Sequence, residues 1–113
     1  MQIPIFKPQT EWTAPTDFPD LSKYDEIAID LETKDPNLNE RMGSGSVIGV
    51  GDVVGISLAT HDWCAYYPIA HEGGGNLDRK MVLKWLQDQM NTNSTKIFHN
   101  AMYDVCWLRR LGI

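Results

Sequence analysis

No stretch of this 113-residue chain approaches the run of about 18 apolar residues that a membrane-spanning helix needs, and no signal-peptide pattern opens it. These absences point away from the membrane and towards the cytosol. Cysteine is scarce: Cys64 and Cys106 are the only two, without metal-ligand spacing, and read as reduced thiols packed in a core. Positive charge is also short, with ten Lys and Arg against fifteen Asp and Glu and a net charge of -5. That balance argues against a broad basic surface for nucleic acid. It leaves open chemistry on phosphates through bound cations, because an acidic cluster recruits phosphate through the ions it holds. Any grip on a long polyanion would then come mostly from other domains or subunits. Repeats and low-complexity tracts are missing, and the Gly73-Gly74-Gly75 run lacks the Lys-Ser/Thr of a phosphate-binding P-loop, so it reads as a turn.

What the chain does have is ordinary apolar content (42%) and charged content (22%), enough for one small core and one domain. Its most informative feature is Ile27-Ala28-Ile29-Asp30-Leu31-Glu32. Residues at i and i+2 of a strand share a face, so Asp30 and Glu32 project together from the end of an apolar strand. Like charges held that close are costly unless a cation or a proton compensates. Oxygen-only ligands favour a hard ion such as Mg²⁺ or Mn²⁺. Asp104, in His99-Asn100-Ala101-Met102-Tyr103-Asp104 just inside an expected helix, offers a third carboxylate.

Residues 1–24 carry Pro4, Pro8, Pro15 and Pro19 and read as an extended arm. Ile3, Ile5, Phe6 and Trp12 offer it apolar anchors, and residues 3–6 suit a short edge strand. The first firm strand spans about 26–31, and the Gly-, Ser- and Asn-rich stretch 33–51 reads as a loop beside the carboxylates. Two further strands, at 53–59 and 63–69, flank a hairpin turn at 60–62. A helix follows over 78–90, with Val82, Trp85, Leu86 and Met90 on one face and Asn76 or Asp78 as its cap. A short buried strand at 96–99 and a helix over 101–111, stopped by Gly112, complete the order. The first three strands suit an antiparallel meander, and the fourth, after a helical crossover, pairs parallel to the first. This is an α/β arrangement with a mixed sheet, and residues 25–113 form its domain.

Each chemical reading has a plainer counterpart. Asp30 and Glu32 suit a solvated strand end, and Asp104 suits the positive end of a helix dipole. His99 suits packing or hydrogen bonding near the strand end, and His71 a loop or sheet edge. Trp63, Trp85 and Trp107 read as core aromatics, and Arg109 and Arg110 as a solvated helix end.

At four stretches the chain resembles the 3′→5′ proofreading exonuclease domain of bacterial and phage family-A DNA polymerases, the polymerase I type. They are Ala28-Ile29-Asp30-Leu31-Glu32-Thr33, Val54-Gly55-Ile56-Ser57-Leu58-Ala59, Tyr66-Tyr67-Pro68-Ile69-Ala70-His71 and His99-Asn100-Ala101-Met102-Tyr103-Asp104. The Asp-Leu-Glu-Thr-Lys-Asp-Pro form at residues 30–36 is similar to phage polymerases in particular. The resemblance implies a ribonuclease H-like fold and a DEDD-type nuclease working with two ions about 3.5–4 Å apart. By motif position, Asp30 would bridge both Mg²⁺ or Mn²⁺ ions, Glu32 would ligate one, and Asp104 would hold the second. Thr33 would contact the terminal nucleotide and Leu38 would stack on its base. Asn100 and Tyr103 would line the path of the single strand. The implied partners are single-stranded DNA 3′ ends and a polymerase domain, in the same longer chain or in a separate subunit, in the cytoplasm of a bacterial or phage-infected cell.

The family's third motif, a Tyr or His near a final Asp, has no counterpart before Ile113. The expectation is therefore an N-terminal fragment, or a truncated or split gene product, with low activity alone and an open sheet edge that invites self-association. Two other functions compete. One is a non-catalytic module that keeps the fold and binds single-stranded ends; the other is an RNA 3′-end trimming nuclease, which the Tyr-Pro-Ile-Ala-His stretch disfavours.

Overall fold

Alternation at Ile27, Ile29 and Leu31 commits one face of a strand to a core, and there the chain forms β1, Glu26–Lys34. A computed structural model of the chain describes residues 13–35 and 51–113. The expected edge strand at residues 3–6, the anchors Ile3, Ile5, Phe6 and Trp12, and Leu38 all lie outside the described residues. β2 (Asp52–Ala59) pairs antiparallel with β1, and β3 (Cys64–Pro68) pairs antiparallel with β2. The helix α1 (Arg79–Met90) then crosses over to β4 (Thr95–Ile97), which runs parallel to β1, and α2 (Ala101–Arg110) follows. Strand order is β3-β2-β1-β4, an α/β fold on a four-stranded mixed sheet.

One sheet face carries Ile27, Ile29, Leu31, Ile56, Leu58 and Tyr67 into the core, where Val82 and Leu86 of α1 and Trp107 and Leu108 of α2 join them. Residues 13–24 have no regular structure, yet they are fastened to this core. Phe18 stacks on Tyr67 at 5.5 Å, Leu21 is buried, and the Trp85 indole donates to the Pro19 carbonyl at 2.8 Å. Buried Gln89 accepts the Leu21 N–H at 2.8 Å, so the arm's backbone is satisfied where it leaves water.

Both helices end on recognisable chemistry. Asp78, not Asn76, caps α1 by accepting the Met81 N–H at 3.1 Å. α2 ends in a Schellman motif: Ile113 N–H donates to the Leu108 carbonyl at 2.9 Å and Gly112 N–H to Arg109 at 3.0 Å, with Gly112 at φ +87.

Several expectations require correction. β1 does not stop near residue 31; β2 continues to Asp52, opposite Lys34, and keeps the ladder supplied, so Asp30 and Glu32 lie inside the strand. A register shift between Glu32 and Thr33 marks a bulge whose extra residue, Val54, lies on β2. β4 is shorter than 96–99 and is not buried. Ile97, in register with Ala28 on the face opposite the core, is 43% exposed. Cys64 is likewise exposed and not packed in a core, because its register with Ala59 places it on that same face. β3 closes at Pro68, although the Ile69 N–H still reaches the Val54 carbonyl at 2.9 Å.

Candidate active site

The face of the sheet opposite the core bears Ala28, Asp30 and Glu32 from β1, with Gly55 and Ser57 from β2 and Tyr66 from β3 in register beside them. Asp30 and Glu32 are exposed there, as period-two alternation demands of residues between Ile29, Leu31 and Thr33. A cleft of about 480 Å³ opens on this face, lined by Ala28, Asp30, Ser57, Ile97, Phe98 and His99 among others. His99 is exposed at its edge and not packed, since the sheet around it is uncovered among the described residues.

Asp104 reaches Asp30 from the side. β4 pairs with β1 only as far as Ala28, so the β1 edge beyond it is left for the first turn of α2. Asp104 is 3% exposed, and the backbone N–H groups of Asn100 and Leu31 favour its charged form. Its carboxyl is pushed above the ordinary carboxylate range, first by burial and then by the negative charge of Asp30; the two N–H donors and the His99 ring oppose that rise. A buried carboxylate facing a second carboxylate is where a cation or a proton is most stabilising.

The neighbouring residues of α2 reinforce the junction. Tyr103 gives its one hydroxyl proton to Asp35 at 2.9 Å, which makes Thr33 the donor in the 2.7 Å bond between the Thr33 and Tyr103 hydroxyls. Burial is the main cause that raises the Tyr103 phenol, which stays protonated at neutral pH. Asn100 occupies the N-cap position with its side chain exposed and no side-chain capping bond.

Glu32 is held differently. Tyr66 donates to its Oε2 at 3.1 Å, and the same phenol oxygen is paired with His71 Nε2. Burial, then the Glu32 carboxylate, push the Tyr66 phenol up to about 12. Asp30 and Asp104 are thus brought together, Glu32 shares their face but is bound by a phenol, and Thr33 and Tyr103 are joined to each other. Among the described residues, no group of three or more His, Cys, Asp or Glu side chains gathers so as to hold a metal ion. The donor chemistry suits a hard cation, but the close grouping is the Asp30–Asp104 pair.

Sequence reasoning assigned no role to Tyr66, His71 or Asp35. The hairpin turn at 60–62 sets Tyr66 opposite Ser57, one strand away from Glu32, and counting the register outward from that turn is the signal for the first of them.

An α/β chain with paired carboxylates on the open face of a mixed sheet is thereby defined. No protein-family model matches it. It is similar to a DNA-directed DNA polymerase of Pseudomonas phage M6, 35% identical over 119 aligned positions that take in 100% of this chain. The chain spans 18% of that polymerase's length.

Proposed function

We propose that this chain forms the ribonuclease H-like 3′→5′ exonuclease portion of a phage-type DNA polymerase and hydrolyses terminal phosphodiesters of single-stranded DNA ends. The observation that carries the reading is Asp104, buried against Asp30 and raised first by that burial and then by the Asp30 charge, at the head of the helix that follows β4. Burying a carboxylate beside another is costly, and a structure keeps it where a cation or a transferred proton uses it. Asp30, Glu32 and Asp104 would hold Mg²⁺ or Mn²⁺, which when bound neutralises phosphate charge and polarises the scissile bond. The residues of this chain do the positioning. Thr33 and Tyr103 tie the end of β1 to α2 and so fix the distance between Asp30 and Asp104. Asn100, exposed at the helix N-terminus, offers its amide to a phosphate or base of the incoming strand. Leu38 stays the candidate to stack on the terminal base.

The partners in this reading are DNA 3′ ends and a polymerase domain, in one longer chain or in another subunit, in the cytoplasm of a bacterial or phage-infected cell. Self-association through the short edge strand β4 belongs to the same proposal. No helix among the described residues is long and apolar enough to cross a membrane. One observation favours the non-catalytic alternative, a module that binds single-stranded ends: no third His, Cys, Asp or Glu side chain closes on the Asp30–Asp104 pair among the described residues.

A 5′-labelled single-stranded oligonucleotide incubated with the chain and Mg²⁺ or Mn²⁺ separates the two readings. The expected outcome is slow stepwise shortening from the 3′ end, in keeping with the low activity expected of this chain by itself. Asp30→Asn and Asp104→Asn are each expected to reduce it more than about 100-fold, beyond what altering an outer-shell partner of a metal ligand costs. Binding without shortening at any metal concentration would favour the non-catalytic module.

A further inference from the structure

Glu32 lies on the same strand face as Asp30, but its carboxylate is engaged from across β2 on that face, by Tyr66 of the Tyr66–His71 stretch that the function above leaves without a task. We infer that Tyr66 and His71 are positioning residues for Glu32: a His71–Tyr66–Glu32 chain of hydrogen bonds aims the carboxylate, and Gly55 is the gap through which it passes. This inference rests on the exonuclease reading for its purpose, though the chain of bonds is testable without it.

Proton counting gives the chain a direction. The Tyr66 phenol has one proton, and an ionised Glu32 can only accept, so Tyr66 donates to Glu32 at 3.1 Å. The phenol oxygen is then left to accept from His71, which must present Nε2 with its proton. The ring's edge-on placement, with centroids 5.8 Å apart, holds the two side chains in that relation. His71 is itself fixed by a two-way clasp. Its backbone N–H donates to Asn76 Oδ1 at 2.7 Å, and the Asn76 amide returns a bond to the His71 carbonyl at 2.9 Å. The clasp occupies Asn76, the residue that had been a candidate to cap α1.

Gly55 explains why the phenol can reach. It is the register partner of Glu32 on β2, and Tyr66 lies across it, coming from the neighbouring position on β3. A Cβ at Gly55 would fall 1.8 Å from the Tyr66 hydroxyl oxygen and 2.2 Å from the ring carbon that bears it. Any side chain there pushes the phenol off Glu32. Tyr66 thus touches the carboxylate, Gly55 gives the phenol room, and His71 and Asn76 hold it from behind, more than a solvated strand-end glutamate requires.

The test begins with NMR of the Glu32 γ-methylene protons in the full chain, which reads side-chain order without relying on turnover. In the wild type the two protons are expected to be resolved, as in a held side chain. Tyr66→Phe and Gly55→Ala should each collapse them to an averaged signal. His71→Leu should do the same, whereas His71→Gln, which keeps an N–H donor, should restore much of the splitting. Circular dichroism identifies any variant that has failed to fold, and Tyr66→Phe, which loses a single oxygen, keeps the question answerable if Gly55→Ala does not fold. A further readout is the Mn²⁺ affinity of the same variants, expected to fall about 10-fold or more in Tyr66→Phe. His71→Leu should add nothing further in the Tyr66→Phe background, where a merely structural role would be additive. Unchanged Glu32 signals in Tyr66→Phe would overturn the inference while leaving the exonuclease reading intact. Loss of that reading shows separately, as hydrolysis and Mn²⁺ binding that are indifferent to Asp30→Asn.

Discussion

Asp104 is the residue at which the sequence motif and the physics of burial meet most directly. Burial and the Asp30 charge raise its carboxyl above the ordinary range, so the folded chain binds a proton there more tightly than the unfolded chain does. The sign follows: this contribution to stability is fully present below the unfolded value of about 4 and is lost as pH rises through the higher folded value. Asp104→Asn, which carries no charge at any pH, should escape that loss. We predict that the urea midpoint of the wild type falls relative to Asp104→Asn between pH 4 and pH 7, with the curves converging at the acid end. Mg²⁺ at pH 7 should raise the wild-type midpoint and leave that of the variant unmoved, since an ion that binds only the folded state stabilises it by mass action. Parallel pH curves for the two proteins would mean that Asp104 is not held against Asp30 as described.

Among the elements, β1 does most to organise the site, and its far end shows how. The described chain resumes after β1 at Gly51, whose backbone has φ +88, and a Cβ there would lie 2.1 Å from the Lys34 carbonyl oxygen. Gly74 has a similar φ of +86 but faces open space. Alanine at Gly74 should therefore cost only the left-handed backbone, about 1–2 kcal/mol. Alanine at Gly51 should cost more, because backbone must also move. Chemical denaturation of the two variants checks the order, and equal losses would remove the close approach at Lys34. The sheet order was legible beforehand, because alternation at Ile27, Ile29 and Leu31 and helical spacing at Val82, Trp85 and Leu86 reflect burial directly. The convergence of Asp104 on β1 was likewise legible from the crossover. The length of β1 was not, since a strand ends where its partner ends, and Asp52 at the start of β2 sets that limit. Nor was the hold of Tyr66 on Glu32, which depends on a register between two strands and on a missing side chain at Gly55. A motif names which residues matter; which of their neighbours restrain them is a property of the sheet.

For the whole molecule, charge decides how a polyanion is met. Beyond the net charge of -5, several cations are already engaged within the chain. Lys34 pairs with Glu72, Arg79 with Asp52 at 3.4 Å and Lys84 with Asp88 at 3.1 Å, while Lys96 donates to the Thr92 and Ser94 carbonyls, both at 2.7 Å. These surface pairs add little to stability, but each lowers the field that an approaching phosphate would feel. Binding driven by Lys and Arg releases counterions, and log K then falls with log salt at about -0.7 per phosphate contacted on a single strand. For this chain in chelator we expect weak binding of a hydrolysis-resistant oligonucleotide and a shallow slope, of about -2 or less steep. Adding Mg²⁺ should tighten binding, the reverse of its usual competition with basic residues, because the ions would link phosphate to Asp30 and Asp104. Fluorescence anisotropy over a salt series, with and without Mg²⁺, measures both quantities. Asp104→Asn should abolish the Mg²⁺ effect and leave the chelator baseline where it was. Tight, steeply salt-dependent binding in chelator would instead identify a basic contact surface, and the carboxylate face would no longer account for the encounter with DNA.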